Sequence, residues 1–442
     1  MRIDRLLASP LFTRTLAAIE ISEPTGHRIL YARNADLLLR PASLMKLVTT
    51  AAVTCAFDDH AQFHTAVTAT IDSFGQCDVS VRAAGDPFID AQDITSITDM
   101  LRARGVRAVR SLMLDPVAFD SIPFGAGWMW DDEDADFTPH LDGFLYGNGQ
   151  WNVSVTTSGS STRVDITPAI GVARVEEDLR IGARTEITVR RRRDANVVRV
   201  SGTIRAGDSF HTQVSMALPR RVFHAALLAS FTRSGIDVLP STPLASRISH
   251  DVLDVGAVRH PIGDAVREAN VKSDNRCAEA LLRLVGARAG KGSAKVGIEA
   301  VAAVLDSAGV RTSDIVQADG SGLSPYNLTS AAALGSLLRV MAVSKEGGRF
   351  RSSLAQGAAS GTLRNRFFGT AQAGRVRAKT GTMRGISGLA GYIERERGEP
   401  LAFVIMMQNF TGDASKYRKV QDAIVALLLD YTAATPGVTP TR

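Results

Sequence analysis

Arg40-Pro41-Ala42-Ser43-Leu44-Met45-Lys46-Leu47-Val48-Thr49-Thr50 is the most informative segment of this sequence. Small and apolar residues recur at helical spacing after the proline, which predicts a helix that begins near Ser43. Because Lys46 follows three residues later, the Ser43 hydroxyl and the Lys46 amine share one face of the first turn. Taken alone this Ser-x-x-Lys motif is weak because it occurs by chance, and a plain helix N-cap followed by a surface lysine is then the favoured interpretation.

A catalytic interpretation of this pair has a chemical basis. A serine hydroxyl is a poor nucleophile at neutral pH and needs a neighbouring neutral base. A lysine amine can serve as that base where burial or nearby cations depress its pKa. Ser43 and Lys46 are therefore candidates for a nucleophile and its base.

Two further motifs follow, Ser273-Asp274-Asn275 at the start of a predicted helix and Lys379-Thr380-Gly381 at the end of a predicted strand. The Ser-x-x-Lys, Ser-x-Asn and Lys-Thr-Gly elements thus occur in the required order, which chance rarely produces. In such a set Ser273 can relay a proton to a leaving amine, and Asn275 can hold a substrate amide. Lys379 supplies positive charge opposite Ser43, and Gly381 lets a substrate backbone lie against the strand edge.

The composition is that of an ordinary globular chain of two or three domains, with 442 residues of which 45% are hydrophobic and 22% charged. The longest apolar runs fall far short of the roughly 20 residues that a membrane-spanning helix needs, so no transmembrane segment is predicted. The net charge of +6 is spread along the chain and does not indicate a nucleic-acid partner. The basic run at residues 190–193 is interpreted as a solvated strand end or hairpin, with contact to an anionic polymer as the alternative.

The cysteines, Cys55, Cys77 and Cys277, are too few and too irregularly spaced for a metal site or a disulfide framework. A single bridge between Cys55 and Cys77 stays open, and Cys277 is interpreted as a buried thiol. The eight histidines show no clustered ligand spacing, so we predict no catalytic metal and no cofactor. The first residues are basic but lack a following apolar stretch, and no secretory signal is predicted in them.

Hydrophobic patterning predicts that both ends of the chain share one α/β domain, with β-rich material between them. A β-hairpin is predicted at residues 13–22 and 28–32. Towards the other end, three strands and a helix are predicted at residues 375–379, 385–393, 401–408 and 416–431. Further helices are predicted at residues 220–234, 273–285 and 297–308. Short strands are predicted between residues 60 and 255, among them 163–166, 185–189 and 197–204.

With these motifs the sequence resembles the penicillin-recognising serine enzymes, and within them the class C low-molecular-mass penicillin-binding proteins of the peptidase S13 type. The resemblance covers nearly the whole chain. The gap of 230 positions from Ser43 to Ser273 is typical of this class, which has large inserted domains, and is far too long for a class A β-lactamase. The resemblance also rests on Pro41-Ala42-Ser43, Gly85-Asp86-Pro87, Gly127-Trp128-Met129-Trp130-Asp131-Asp132, Gly202-Thr203-Ile204, Asp319-Gly320-Ser321-Gly322-Leu323-Ser324 and Gly361-Thr362-Leu363.

The resemblance implies an α/β fold with a DD-peptidase/β-lactamase-like transpeptidase domain, in which helices flank an antiparallel sheet, and with large β-rich inserted domains. The penicillin-binding domain is expected at residues 1–58 plus 257–442. An inserted domain II is expected at residues 59–157 plus 207–256. A small β-rich domain III, nested in domain II, is expected at residues 158–206.

The resemblance also implies the residue roles of a serine D-alanyl-D-alanine carboxypeptidase and endopeptidase. The acylated nucleophile would be Ser43 and its general base Lys46, with Ser273, Asn275 and Lys379 as proton-relay and binding partners. The backbone N–H groups of Ser43 and Thr382 would form the oxyanion hole. Thr380 would help to hold the terminal carboxylate of a D-Ala-D-Ala stem, next to Gly381. Which lysine is the effective base stays open.

Recognition of the stem side chain departs from the family pattern. Relatives often carry an arginine after Gly-Ser-Gly-Leu-Ser, whereas this chain has Pro325, which has neither a charge nor an N–H donor. Asp132 would then bind the amino group of a diaminopimelate-like residue, and Met383 with Trp128 or Trp130 would line its aliphatic part. The alternative is that both tryptophans and Met383 are ordinary core residues.

The partners that the resemblance implies are peptidoglycan stem peptides and β-lactam antibiotics, and the implied location is the periplasm or cell envelope. The oligomeric state is not predicted. Two alternatives stay open: a β-lactamase or esterase on the same fold, and a catalytically silent protein that binds peptidoglycan. Fast deacylation of a β-lactam adduct would favour the first alternative, and binding of a D-Ala-D-Ala peptide without turnover would favour the second.

Overall fold

The computed structural model describes residues 2–26, 28–117, 119–120, 122–240, 252–396, 398–429 and 431. The chain divides into two compact units. Unit 1 comprises Met1–Asp58, Val266–Asp274 and Ile298–Arg442, and unit 2 comprises Asp59–Ala265 and Asn275–Gly297. The finer division into three domains, with domain III set apart, stays a prediction.

Unit 1 is built on an antiparallel sheet. Its strands, numbered along the whole chain, are β1 (Leu16–Glu23), β2 (Arg28–Arg33), β14 (Ile315–Val316), β15 (Leu328–Thr329), β16 (Ala355–Gln356), β17 (Val376–Met383), β18 (Ile386–Ile393) and β19 (Leu401–Gln408). Six of them form one sheet in the order β16-β17-β18-β19-β1-β2, and every neighbouring pair is antiparallel. The predicted amino-terminal hairpin and the three predicted carboxy-terminal strands are thereby confirmed.

Helices cover both faces of this sheet. The helices that lie wholly in unit 1 are α1 (Arg2–Leu7), α2 (Met45–Ala56), α8 (Ala331–Val343), α9 (Gly347–Ser352) and α10 (Ala414–Leu429). Ile19 and Ile21 of β1 belong to the apolar cluster that includes α1 and α10, whereas Glu20 between them is bonded to Arg339 of α8. Because both faces are covered, every residue of β19 is buried, which explains why residues 401–408 form a continuous apolar strand.

Unit 2 contains the β-rich material. Its strands are β3 (Gln62–Ile71), β4 (Gln76–Ala83), β5 (Ala108–Pro116), β6 (Gln150–Ser158), β7 (Ser161–Thr167), β8 (Arg174–Gly182), β9 (Glu186–Arg191), β10 (Val197–Arg205), β11 (Ser209–Ser215), β12 (Asp237–Val238) and β13 (Leu253–Pro261). They form a five-stranded sheet, β12-β5-β4-β3-β13, and two three-stranded sheets, β11-β6-β7 and β8-β10-β9. One buried cluster of aliphatic and aromatic side chains, with Trp151 among them, forms the core.

The remaining helices are α3 (Ala91–Ala103), α4 (Pro219–Arg233) and α6 (Asn275–Arg288) in unit 2, with α5 (Ile262–Val271) and α7 (Ala294–Ser307) running from unit 2 into unit 1. The helices predicted at residues 220–234, 273–285, 297–308 and 416–431 are confirmed, with ends that differ by a few residues. No helix in the part of the chain that the structure describes is long and apolar enough to cross a membrane.

The motif positions differ from the predicted element ends in three places. Ser43 lies in a 3-10 turn, Ala42–Leu44, and the α-helix begins only at Met45. Ser273 precedes α6 with a φ of 64°, a left-handed conformation that helical patterning does not reveal. Lys379-Thr380-Gly381 lies inside β17, because Met383 and Ile386 pair across a tight turn and extend the ladder beyond the motif.

The structure corrects one residue of the basic run and answers the open question of the cysteine pair. The run lies at the end of β9, as interpreted, and Arg190 and Arg193 are exposed. Arg191 is the exception, because its side chain is buried and donates to His140 Nε2 at 2.8 Å and to Ser215 Oγ at 3.2 Å. The cysteines are free thiols, so the structure holds no bridge between Cys55 and Cys77. The interpretation of Cys277 as a buried thiol is confirmed.

Candidate active site

Ser43 and Lys46 form a close polar pair at the start of α2. Lys46 Nζ donates to Ser43 Oγ at 3.0 Å and to the carbonyl oxygen of Ser321 at 2.6 Å. The lysine has no exposed surface, and the helix N-cap is Leu44 rather than Ser43. The interpretation as a plain cap followed by a surface lysine is therefore wrong.

The loop that carries Ser321 is held rigidly against the Ser43 turn. The buried Asp319 carboxylate accepts the backbone N–H of Gly322 at 2.7 Å and that of Ser324 at 2.6 Å. Gly322 has a φ of 81°, and a Cβ atom there would lie 2.0 Å from the Ala42 carbonyl oxygen. Only glycine therefore fits, and the Ser321 carbonyl is fixed at Lys46. The sequence contains this loop as a motif but gives no sign of its contact with Lys46.

Ser273 and Lys379 form a second serine–lysine pair. Lys379 Nζ donates to Ser273 Oγ at 2.9 Å and to the carbonyl oxygen of Thr380 at 2.9 Å. Complete burial lowers the pKa of Lys379 well below its usual value, and the positive charge of Lys46 lowers it further. Since Lys46 acts on Lys379 electrostatically, the two serine–lysine pairs belong to one site.

Strand β17 lies directly against the Ser43 turn because two glycines leave room for it. A Cβ atom at Gly381 would lie 2.6 Å from the carbonyl oxygen of Pro41 and 3.2 Å from the backbone nitrogen of Leu44. Its partner in the ladder, Gly388, would meet the Leu44 side chain at 2.7 Å in the same way. The paired glycines therefore set the distance between the sheet and the nucleophile turn.

The edge of β17 that faces away from β18 offers room for an extended peptide. Strand β16 pairs only with Arg377 and Ala378. From Lys379 to Met383 this edge has no strand partner among the residues that the structure describes. An extended chain can add to such an edge through main-chain hydrogen bonds. Thr382, the expected oxyanion-hole residue, is exposed on this segment.

A buried polar network connects the helix of Ser43 and Lys46 to the segment that leads to Ser273. Asn270 Nδ2 donates to Thr50 Oγ1 at 3.1 Å and to Ser353 Oγ at 2.9 Å. The Thr50 hydroxyl in turn donates to the Lys46 carbonyl at 2.6 Å. Sequence patterning missed these residues because their contacts are remote in the chain and no local motif marks them.

The structure places Asn275 and Asp132 in unit 2, whereas the other predicted site residues lie in unit 1. Asn275 Nδ2 donates to the carbonyl oxygen of Phe137 at 2.7 Å. Burial raises the pKa of Asp132, and the negative charges of Asp131 and Asp134 raise it further.

The two tryptophans and Met383 are not all core residues. Trp130 is 71% exposed, and the Arg193 guanidinium lies 4.3 Å from its ring centroid. For Trp130 the core interpretation is therefore wrong. Trp128 and Met383 are half-buried.

The sequence is similar to a family profile and to curated proteins that share one description, D-Ala-D-Ala carboxypeptidase. The profile of the D-Ala-D-Ala carboxypeptidase 3 (S13) family matches residues 1–431. The chain is 30% identical to a D-alanyl-D-alanine carboxypeptidase of Actinomadura sp. (strain R39), an alignment that covers 97% of this chain and 84% of the relative. It is 26% identical to D-alanyl-D-alanine carboxypeptidase DacB of Haemophilus influenzae, over 89% of this chain and 85% of the relative.

Solved structures show the same fold. Penicillin binding protein 4 from Haemophilus influenzae superimposes with a TM-score of 0.84 at 23% identity, over 98% of this chain and 100% of that chain. A predatory endopeptidase from Bdellovibrio bacteriovorus superimposes with a TM-score of 0.55 at 16% identity, over 96% of this chain and 97% of that chain. The predicted fold class, a DD-peptidase-like domain with helices around an antiparallel sheet, is confirmed.

Proposed function

We propose, from the premise that this chain belongs to the D-Ala-D-Ala carboxypeptidase 3 (S13) family, that Ser43 is the nucleophile of its reaction. The chain is an enzyme, a serine-type D-Ala-D-Ala carboxypeptidase. The observation that carries the residue assignment is the 3.0 Å contact between Lys46 Nζ and Ser43 Oγ in a buried environment. That contact is within the range in which a general base can take a hydroxyl proton.

In the acylation step the Ser43 oxygen attacks the carbonyl carbon between the two D-alanines, and Lys46 takes the hydroxyl proton. The negative charge that develops on the carbonyl oxygen is held by the backbone N–H groups of Ser43 and Thr382. The close approach of β17 to the Ser43 turn at Gly381 supports this pairing of N–H groups.

Collapse of the tetrahedral intermediate breaks the peptide bond and requires a proton on the leaving amine. Ser273 passes its proton to that nitrogen, and Lys379, bonded to Ser273, returns one to the serine. The lowered pKa of Lys379 supports this role, because a lysine with the usual, high pKa keeps its proton near neutral pH and cannot pass it on readily. D-Alanine leaves. Water then attacks the Ser43 ester and gives one proton to Lys379 by way of Ser273, while Lys46 returns its proton to the Ser43 oxygen. The hydroxyl and both lysines are thereby restored, and the shortened peptide is released.

The substrate side is assigned to residues around this centre. Thr380 holds the terminal carboxylate, the backbone at Gly381 pairs with the peptide, and Asn275 holds the stem amide. Asp132 accepts the amino group of a diaminopimelate-like side chain, and Met383 lines the aliphatic part of that side chain. The exposed tryptophan ring beside Asp132, that of Trp130, supports a binding surface at this loop.

The same serine reacts with β-lactams, because a β-lactam presents a strained amide to the same nucleophile. Cross-linked peptidoglycan stems are further substrates, which makes the enzyme an endopeptidase as well. The cell envelope, where peptidoglycan lies, is the corresponding location. Titration of cell fractions with a labelled penicillin checks that location, and recovery of the protein from the cytoplasm alone would contradict it.

The deciding experiment is intact-mass measurement after incubation with penicillin, followed by peptide mapping. The wild type gains one penicillin mass on the peptide that contains Ser43, and Ser43→Ala gains none. Ser352→Ala is a matched control, because this exposed serine hydroxyl donates within its own helix, to the Arg349 carbonyl.

An adduct that persists in Ser43→Ala would show that the nucleophile is assigned wrongly. An adduct on Ser43 that disappears within seconds, with penicillin consumed, would favour a β-lactamase. Turnover of a D-Ala-D-Ala peptide separates the peptidase from a silent peptidoglycan-binding protein.

A further inference from the structure

We propose that Thr362 is a second carboxylate-binding residue, which acts with Thr380 on the C-terminal carboxylate of the peptide. This assignment rests on the proposed function of the site. The Thr380 hydroxyl donates to the Thr362 hydroxyl across 2.9 Å. Thr362 is exposed and Thr380 half-buried, so the pair lies where a substrate arrives from solvent.

The turn that carries Thr362 is anchored to the segment that leads to Ser273. Gly361 begins a 3-10 turn, Gly361–Leu363, with a φ of 50°. A Cβ atom at Gly361 would lie 1.9 Å from the carbonyl oxygen of Val271, two residues before Ser273. This approach is open only to glycine, and it fixes Thr362 relative to the Ser273 loop.

The other side of the turn is fixed by the sheet. Leu363 is completely buried in the apolar cluster of unit 1. The Ser360 hydroxyl accepts the backbone N–H of Gln356 at 2.9 Å, and Gln356 pairs with Arg377 at the start of β17. Thr362 therefore stands on a rigid turn that is tied both to β17 and to the Ser273 segment. A side chain held in this way loses little conformational entropy when it binds a ligand.

A count of hydrogens explains why two hydroxyls serve a carboxylate better than one. Each hydroxyl has a single hydrogen and two lone pairs, whereas a carboxylate only accepts. Without substrate, the hydrogen of Thr380 is given to Thr362. When a carboxylate binds, both hydroxyls can turn their hydrogens to its oxygens, so the pair offers two donors where Thr380 alone offers one.

The neighbouring lysine does not replace these hydroxyls. Two hydrogens of Lys379 Nζ are already directed at Ser273 Oγ and at the Thr380 carbonyl. Its burial also disfavours the charged form, which lowers the electrostatic attraction that it exerts on an anion. The hydroxyl pair at the mouth of the site therefore supplies donors in addition to this lysine.

The test compares two thioesters that differ only in the leaving group. One is an N-acetyl-D-alanyl thioester of thioglycolate, which carries a carboxylate, and the other is the thioester of thioglycolamide, which does not. A hydrogen bond to a charged group predicts that Thr362→Val lowers kcat/KM for the thioglycolate roughly 10- to 100-fold. The thioglycolamide is unaffected, and Thr362→Ser keeps most of the preference for the carboxylate.

The ratio of the two kcat/KM values is the deciding quantity, because a partly unfolded preparation loses both activities alike and leaves the ratio unchanged. Thr370→Val is the matched control, since the hydroxyl of the exposed Thr370 donates to the nearby Phe367 carbonyl. An unchanged ratio in Thr362→Val overturns the assignment. Failure of the wild type to cleave either thioester and to form a penicillin adduct overturns the proposed function, and the assignment with it.

Discussion

Burial of Lys379 has opposite consequences for catalysis and for stability. In the folded state the pKa of Lys379 lies well below the usual value, whereas the pKa of an unfolded lysine is about 10.4. As pH falls below that unfolded value the unfolded chain binds more protons than the folded chain, so the free energy of unfolding decreases. Lys379 therefore costs stability at neutral pH.

Lys379→Met is accordingly expected to raise the melting temperature at pH 7 while it abolishes acylation by penicillin. The gain in melting temperature shrinks as pH rises through the unfolded value of about 10.4, because above it the wild-type lysine is neutral in both states. Lys345→Met is the control, since the Lys345 side chain is 90% exposed. A variant that is less stable than wild type at pH 7 and equally stable above about pH 11 would contradict this sign.

Residues with a local signature were predictable from the sequence, and residues that act through remote contacts were not. Ser43, Lys46, Ser273 and Lys379 stand in motifs whose spacing implies chemistry, and the structure brings these four together. Asn270 and Thr362, by contrast, contact the site only because the chain folds back by many residues. Likewise, no spacing rule predicts that Lys46 donates a hydrogen bond to the carbonyl oxygen of Ser321.

At the scale of elements, the contact between β17 and the Ser43 turn tolerates added side-chain volume poorly. Gly381→Ala would place a methyl group 2.6 Å from the Pro41 carbonyl oxygen. Such overpacking costs about 1 to 3 kcal/mol and shifts backbone, so we expect a lower melting temperature and acylation by penicillin that is slower by at least about tenfold. Stopped-flow acylation and thermal denaturation measure the two effects.

Gly412→Ala is the matched control for this substitution, because a Cβ atom there meets no other atom within 4 Å. It should leave both quantities close to the wild-type values. If Gly381→Ala acylated as fast as Gly412→Ala, the separation of strand and turn would not limit the reaction.

Elements were predictable where the chain has one simple pattern. The hairpin β1–β2 follows from two apolar segments on either side of a loop with Pro24 and Gly26, and the strand β19 follows from continuous hydrophobicity. The start of α2 was placed too early because Ser43 lies in a 3-10 turn, whose residues have near-helical composition. The left-handed conformation of Ser273 could not be predicted from the sequence, because it is imposed by the surrounding contacts rather than by the propensity of serine.

At the scale of the whole molecule, each unit has its own hydrophobic core, and each can be followed by a separate signal. All three tryptophans, Trp128, Trp130 and Trp151, lie in unit 2. Tryptophan fluorescence therefore reports on unit 2, while acylation of Ser43 reports on unit 1. Measuring both on one sample distinguishes a defect in the β-rich unit from a defect in the site.

This distinction makes a test of the buried His140 in unit 2 possible. Arg191 Nη2 donates to His140 Nε2 at 2.8 Å, and since a guanidinium only donates, the ring is neutral with its proton on Nδ1. Burial, and secondarily the charge of Arg191, lower the pKa of His140 to about 3. Glu133 Oε1, 3.7 Å from the same nitrogen, also bonds Arg191 and does not reverse the shift.

The unfolded histidine titrates near about 6.5, so between that pH and about 3 the unfolded state binds the extra proton and unit 2 loses stability as pH falls. The slope contributed by one such group is at most about 1.4 kcal/mol per pH unit.

His140→Gln keeps an acceptor for Arg191 but does not titrate. Its free energy of unfolding in urea, followed by tryptophan fluorescence, should therefore decline less steeply than that of the wild type from pH 7 to pH 4. Acylation of Ser43 at pH 7 should be unchanged, and His64→Gln, at an exposed histidine, should retain the wild-type slope. A wild-type slope in His140→Gln would mean that another group of unit 2 controls its acid sensitivity.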